Sequence, residues 1–259
     1  MPVADDLALA LQLADEADAI STARFGALDL RVETKPDLTP VSDADRAVEH
    51  AIRATLAVRR PDDAIVGEEF GATDAATGGR RWVIDPIDAT KNFVRGVPVW
   101  ATLIALMDGA DVVVGVVSAP ALGSKWWAGQ GLGSWTSRLA AQPRRNQVSG
   151  VTELRDASMS YSDLSDWGSR APGFHDLAAA VWRTRAYGDF WSHMLVAEGA
   201  VDISAEPEVS IWDVAALVVI VTEAGGRVTG VDGSASPQAP SVVCSNGRLH
   251  GEALARFGA

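Results

Sequence analysis

The chain has 259 residues, 47% of them hydrophobic, which is material for a sizeable core and excludes a disordered protein. A formal net charge of −12 argues against a nucleic-acid partner or an anionic membrane surface, both of which call for a basic face. The single cysteine, Cys244, excludes an internal disulfide framework and a Cys-based zinc site, and apolar runs such as Val214–Val221 are too short to span a bilayer.

The start of the chain, Met-Pro-Val-Ala-Asp-Asp, has neither a basic start nor an apolar signal core, so a cytoplasmic protein is expected. Residues 5–25 read as a helix, with Leu7, Leu11, Ala14 and Ala17 at helical spacing, Asp5 or Asp6 as cap and Gly26 as terminator. A second helix is expected from about Ser42 to Arg60. Ser42 with Asp45 three residues on forms a capping-box pattern, Pro61 stops the helix, and Val48, Ile52 and Leu56 form its buried stripe. The period then changes. Strands are expected at Ala64–Val66, Trp82–Ile84, Ala101–Met107, Val112–Val117, Lys125–Ala128 and Ser134–Thr136, with a hairpin turning at Asp108–Asp111. Polar residues 137–150, with Pro143 and Gly150, mark an expected boundary between an N-terminal lobe, 1–145, and a C-terminal lobe, 146–259.

The second half alternates. Strands at Ala157–Tyr161, Thr184–Tyr187, Val201–Ala205, Arg227–Thr229 and Val242–Cys244 are separated by helices near His175–Trp182, Phe190–Glu198, Ile211–Glu223 and Arg248–Arg256. Gly225-Gly226 reads as a helix terminator. The pattern is α and β in layers, an α+β or α/β class.

One stretch stands apart: Trp82-Val-Ile-Asp85-Pro86-Ile87-Asp88-Ala89-Thr90. An apolar strand ends in two carboxylates with a proline between them, and both can reach one point beyond the strand end. Thr90, Lys91 and Asn92 then open a helix whose free N–H groups suit a phosphate. Hard oxygen ligands beside an anion-binding turn suggest Mg²⁺ and a phosphoester. A lone Asp-Pro after a strand is more often a helix cap. Val66-Gly67-Glu68-Glu69 is another acidic strand end, by itself usually a solvated loop. Ile211-Trp212-Asp213-Val214-Ala215-Ala216 opens an apolar helix, where Asp213 by itself is a first-turn acid favoured by the helix dipole. Cys244 reads as core, and His193, in an apolar helix, as structural.

Taken together, Gly-Glu-Glu, Trp-x-x-Asp-Pro-Ile-Asp-x-Thr-x-x-Phe and Trp-Asp-x-Ala-Ala resemble the inositol monophosphatase superfamily in order and spacing, over about residues 5–250. The resemblance implies a layered αβαβα sandwich and a lithium-sensitive, Mg²⁺-dependent phosphomonoesterase, commonly a homodimer, acting on a small-molecule phosphate monoester. Carried over, it makes Glu68, Asp85, Asp88, Asp213 and the carbonyl of Ile87 ligands for up to three Mg²⁺, most of them in the N-terminal lobe. Thr90 with Asp43 would orient the attacking water, with Glu68 also catalytic. The N–H groups of Ala89 and Thr90 would hold the phosphate. Asp88, Gly188, Asp189, Glu206 and Asp213 would contact the substrate. No serine, cysteine or histidine nucleophile is required. One position departs from the pattern: the usual glycine is Ala89 here, and a positive φ there would cost about 1 kcal/mol.

Thr34-Lys-Pro-Asp-Leu-Thr-Pro-Val-Ser-Asp43, Lys91-Asn-Phe-Val-Arg-Gly-Val-Pro-Val-Trp100 and Arg185-Ala-Tyr-Gly-Asp-Phe190 are more similar to the histidinol-phosphatase branch. That similarity implies L-histidinol phosphate as substrate. An inositol-1-phosphatase, a promiscuous sugar or nucleotide phosphatase, and a regulatory protein–protein role on the same fold are the alternatives. A purely regulatory relic could lose metal ligands, and here all match. The nine tryptophans fit core or dimer interface better than a substrate platform.

Overall fold

The structure is a computed structural model that describes residues 2–73 and 79–258. In chain order the elements are α1 (Val3–Arg24), β1 (Val32–Thr34), β2 (Pro40–Ser42), α2 (Asp43–Arg59), β3 (Ala64–Gly67), β4 (Gly71–Ala72), β5 (Arg80–Asp88), α3 (Thr90–Val94), β6 (Ala101–Asp108), β7 (Asp111–Ala119), β8 (Ser124–Gly129), β9 (Gly133–Arg138) and β10 (Arg144–Arg145). There follow β11 (Ser158–Ser160), α4 (Ala171–Ala180), β12 (Arg183–Arg185), α5 (Asp189–Ala197), β13 (Ile203–Glu206), α6 (Ile211–Glu223), β14 (Arg227–Thr229), β15 (Val242–Ser245) and α7 (His250–Phe257).

Two sheets organise these elements. The larger has the order β10-β9-β8-β7-β6-β5-β3-β4, antiparallel except where β3 lies parallel to β5. The smaller has the order β12-β11-β13-β15-β14, with β12, β11 and β13 parallel. Both faces of the larger sheet are apolar because both are covered. Trp82, Ile84, Ile104 and Leu106 meet Leu9 and Leu13 of α1 and Val48, Ile52 and Leu56 of α2. On the other face Val83, Leu103, Ala105 and Val117 meet Met194 of α5 and Ala216 and Ile220 of α6, which also meet Val242 and Cys244 of the smaller sheet. Helices α4 and α7 cover the far face of that sheet through Phe174, Leu177, Ala253 and Leu254. The layers therefore run α1/α2, large sheet, α5/α6, small sheet, α4/α7. The middle helices pack closely: a Cβ on Gly115 of β7 would overlap the Ala216 carbonyl of α6.

The expected helices are present, and α6 has the expected bounds. Helix α2 begins with the capping box of Ser42 and Asp45, and Val48, Ile52 and Leu56 are fully buried, about 2 kcal/mol of transfer free energy each. The start of α1 differs from expectation. Neither Asp5 nor Asp6 caps it; Pro2 is the N-cap position. Asp6 is buried and paired with Arg60 at 2.9 Å and Arg80 at 3.0 Å, so those charges, not the helix end, hold its carboxylate. The buried face of α1 is set by Leu9, Leu13, Ala14 and Ala17, with Leu7 and Leu11 half-buried at its margin. The β1–β2 hairpin, β4 and β10 have no counterpart among the expected strands.

Candidate active site

Strand β5 builds the centre of the site through an irregularity. Its pairing with β6 runs regularly to Asp85↔Leu103 and resumes at Asp88↔Ala101, so the register shifts between them. Pro86 has no N–H for the ladder, and its carbonyl is taken instead by the Thr102 hydroxyl at 2.8 Å. In a regular strand Asp85 and Asp88 would point to opposite faces. The bulge turns both toward the same cleft. Asp213, in the first turn of α6, completes the group: one carboxylate oxygen each from Asp85, Asp88 and Asp213 lies within 4.8 Å of the others. Asp213 Oδ2 accepts the Ser210 N–H at 2.7 Å, which fixes the side chain.

Glu68 follows β3, whose parallel pairing with β5 brings both strand ends to the same edge. Lys35, from the β1–β2 turn, donates to Glu68 at 2.7 Å and to Glu69 at 2.6 Å. Burial, with Glu68, Asp88 and Asp213 close by, holds the Asp85 carboxyl well above the usual carboxylate range. Burial, then Asp189 and Asp213, does the same to Asp88. Glu68 and Asp213 are also raised, each chiefly by burial. Such a cluster carries its charges comfortably only with cations among them.

After Asp88 the chain turns sharply. Ala89 adopts φ 65° and ψ 46°, the left-handed region, so the alanine occupies the geometry in which a methyl group is strained. Thr90 then begins α3. Its hydroxyl lies 2.9 Å from the Ile87 carbonyl and 3.1 Å from Asp45 Oδ1.

That last contact corrects the sequence reading. The partner of Thr90 is Asp45, not Asp43. Asp43, at the first position of α2, turns outward to Arg24 at 2.9 Å. Asp45, two residues on, is fully buried; its Oδ2 closes the capping box on Ser42 and its Oδ1 is left for Thr90. Burial raises its carboxyl.

The opposite wall comes from the second half of the chain. Gly188, at φ 89°, is the N-cap position of α5, and Asp189 follows it at φ 49°. The Asp189 N–H donates to Ser162 Oγ at 2.6 Å, and Ser162 Oγ donates to Glu206 Oε1 at 2.7 Å. Burial pushes Glu206 up to about 8, and burial with Asp213 pushes Asp189 up to about 6. Glu68, Asp85, Ile87, Asp88, Ala89, Thr90, Gly188, Asp189, Glu206 and Asp213 line one cleft of about 690 Å³. Of the expected site residues, Asp43 stands apart. His193 and Cys244 are buried; His193 bonds Ser204 at 2.8 Å and is held near 4 by burial, so it is neutral at pH 7. Lys35, Asp45 and Ser162 were not singled out by sequence. Asp45 was visible only as half of a capping box, and Lys35 only as the base among acids in Thr34–Asp43.

The fit of a divalent cation can be judged from one atom. Asp85 Oδ1 is buried and has no hydrogen-bond partner among the described residues. An unsatisfied carboxylate oxygen costs about 1–3 kcal/mol or more, which a cation in the cluster would relieve. The donors are all hard oxygens, the set that Mg²⁺ prefers. No helix among the described residues is long and apolar enough to cross a membrane.

A sequence profile of the inositol monophosphatase family matches residues 4–258. A histidinol-phosphatase from Mycobacterium tuberculosis is 59% identical over 259 residues, 98% of each chain, and one from Streptomyces coelicolor is 60% identical over 256 residues, 96% of each chain. Among solved structures, the extragenic suppressor protein suhB of Bartonella henselae superposes with a TM-score of 0.89 at 27% identity over 98% of each chain. With its layers, its bulged Asp-Pro-Ile-Asp strand and this match over nearly its whole length, the chain belongs to the inositol monophosphatase family.

Proposed function

We propose that this protein is a Mg²⁺-dependent phosphomonoesterase that hydrolyses L-histidinol phosphate to L-histidinol and phosphate. The observation that carries the reading is the buried Asp85 Oδ1, without a hydrogen-bond partner among the described residues, in a carboxylate cluster beside the left-handed turn at Ala89. Glu68, Asp85, Asp88, Asp213 and the carbonyl of Ile87 would hold up to three Mg²⁺. The chemistry gained with cations in place is acidification of a water and neutralisation of charge on the phosphoryl group and leaving alkoxide. The left-handed Ala89 followed by right-handed Thr90 aligns two successive N–H groups on the phosphate. Thr90 Oγ1 accepts a proton from the attacking water and passes its own to Asp45 Oδ1, 3.1 Å away.

Asp189, its carboxyl at about 6, is ionised at pH 7 and adds negative charge that would repel a phosphate unless the rest of the substrate is cationic, whereas Glu206, at about 8, is mostly protonated there. Histidinol phosphate carries an α-ammonium and an imidazole. The names of the two relatives near 60% identity point the same way. The reading also takes residues 1–145 and 146–259 as two lobes meeting at the cleft, and the protein as a cytoplasmic homodimer. Phosphate release from histidinol phosphate, inositol-1-phosphate and a sugar phosphate, with Mg²⁺ and with chelator, tests it. Full activity in chelator defeats the metal reading, and preference for another monoester defeats the substrate.

A further inference from the structure

The turn that carries Glu68 is held from behind by a buried carboxylate on α2. Glu49 is fully buried. Its Oε2 accepts the Glu69 N–H at 2.8 Å, and its Oε1 accepts the Phe70 N–H at 3.2 Å and the Arg53 Nε–H at 2.7 Å. Gly67 lies directly against the same group: a Cβ there would overlap Glu49 Oε1. Arg53 closes the outer side, donating to the Gly71 carbonyl and lying 5.9 Å over the Phe70 ring. The Gly67–Gly71 turn is thus fastened at both ends and at two of its N–H groups.

Burying a carboxylate here is expensive unless each oxygen is paired. An apolar side chain would pack α2 at less cost, but it would leave the Glu69 and Phe70 N–H groups unanswered. Glu49 lies one helical turn after Asp45, on the same face of α2. The two carboxylates reach the two turns that carry the chemistry, Asp45 at Thr90 and Glu49 behind Glu68.

We propose that Glu49 is a positioning residue for the divalent-cation site. It fixes the Gly67–Gly71 backbone so that Glu68 stays beside Asp85, and so sets cation affinity without touching the cation. The inference rests on Glu68 being a metal ligand, as proposed above.

The test is calorimetric titration of the whole protein with Mg²⁺ in the absence of substrate, with kcat measured at saturating Mg²⁺. Glu49→Gln places an amide N–H against one of three donors, so the turn loosens. The Kd for Mg²⁺ should rise about tenfold or more, while kcat at saturation stays within about threefold. Glu68→Gln is run beside it, with Ile52→Val as a variant that thins the same helix's core without touching the turn. Weakened Mg²⁺ binding in Glu68→Gln but unchanged binding in Glu49→Gln overturns the positioning role and leaves the ligand reading standing. Unchanged binding in Glu68→Gln overturns both. An equal loss in Ile52→Val shows general loosening of α2 and overturns the inference. If Glu49→Gln does not fold, Arg53→Gln takes its place: about threefold weaker Mg²⁺ binding is expected, and unchanged affinity overturns the inference.

Discussion

The Phe190 N–H donates to Asp88 Oδ2 over 2.9 Å, joining residues 102 apart in sequence. Asp88 ends a strand of the large sheet, and Phe190 lies in the first turn of α5, the helix layer between the sheets. A carboxylate from one half of the chain thereby caps a helix in the other, where charge and the helix dipole favour it. Asp88→Asn keeps an acceptor for that N–H, whereas Asp88→Ala removes it. Both should lose at least about a hundredfold in kcat, because each loses a carboxylate proposed as a cation ligand. In chelator both variants relieve the same carboxylate repulsion, so the cap is read from their difference: Asp88→Ala should be about 1 kcal/mol less stable than Asp88→Asn by urea denaturation. Equal stability in the two variants would show that the cap is idle.

Asp85→Asn should move activity and stability in opposite directions. The charge at the centre of the cluster goes, and kcat should fall roughly a thousandfold, about 4 kcal/mol. Without metal the sign reverses. The Asp85 carboxyl is raised in the fold, by burial first and then by Glu68, Asp88 and Asp213. Between the ordinary carboxylate value and its raised folded value, the folded state holds a proton that the unfolded state has released. Stability in chelator therefore falls as pH rises through that window. Asparagine does not titrate, so Asp85→Asn should have the higher Tm in chelator at pH 8, with the gap closing toward pH 4. A lower Tm for the variant in chelator at pH 8 would contradict the charge-repulsion account.

Ala89→Gly should stabilise the protein slightly. Alanine in the left-handed region costs about 1–2 kcal/mol, and glycine gives back about 0.5–1 kcal/mol through its freer unfolded chain. A net gain of up to about 1 kcal/mol by denaturation is expected, with activity within a few-fold of the parent. Activity that collapses in a folded variant would assign the methyl group a packing role.

Much of this architecture is legible in sequence because burial imposes period. Val48, Ile52 and Leu56 repeat at helical spacing because one face of α2 is covered, and Ile211–Glu223 is bounded by a Ser cap and a Gly-Gly stop. The β1–β2 hairpin is not legible because β1 is exposed throughout and has no apolar alternation. The choice between Asp43 and Asp45 fails for a different reason. Both sit in the first turn of α2, where any acid is favoured. Which one faces inward depends on Arg24, 19 residues before Asp43, and Thr90, 45 after Asp45, neither of which local pattern contains.

Those two aspartates separate cleanly by experiment. Asp45→Asn removes the proton acceptor behind Thr90 and should lower kcat about a hundredfold, a common size for a general base. Asp43→Asn loses a part-exposed pair with Arg24, and kcat should stay within about threefold. Steady-state phosphate release at saturating Mg²⁺ measures both. Comparable losses in the two variants would count against the Thr90–Asp45 relay.

The proposed role of Asp189 in substrate choice is open to a direct test. Its bland role, capping α5, is taken by other residues: Gly188 occupies the N-cap position and Asp88 supplies the acceptor. Among the described residues the Asp189 side chain accepts one hydrogen bond, from Asn92 Nδ2 at 3.4 Å, and it lines the cleft. Its backbone is strained at φ 49°, a conformation that Asp tolerates better than most residues and that the Ser162 contact at 2.6 Å helps hold. With a carboxyl pushed up to about 6, it is ionised at pH 8. A charge-assisted hydrogen bond to a substrate ammonium or imidazolium is worth about 1.5–3 kcal/mol, roughly ten- to over a hundredfold in specificity. Glu206 is the weaker discriminator, because it already accepts from the Ser162 hydroxyl and N–H and can take hydroxyl hydrogen bonds equally well. In Asp189→Asn, kcat/KM for histidinol phosphate should fall by that factor while kcat/KM for inositol-1-phosphate holds or rises, since a repelling charge has gone. The amide keeps the size and the backbone geometry, so a change confined to one substrate reports charge. Equal losses on both substrates would place Asp189 in the scaffold of the cleft and remove it from substrate choice.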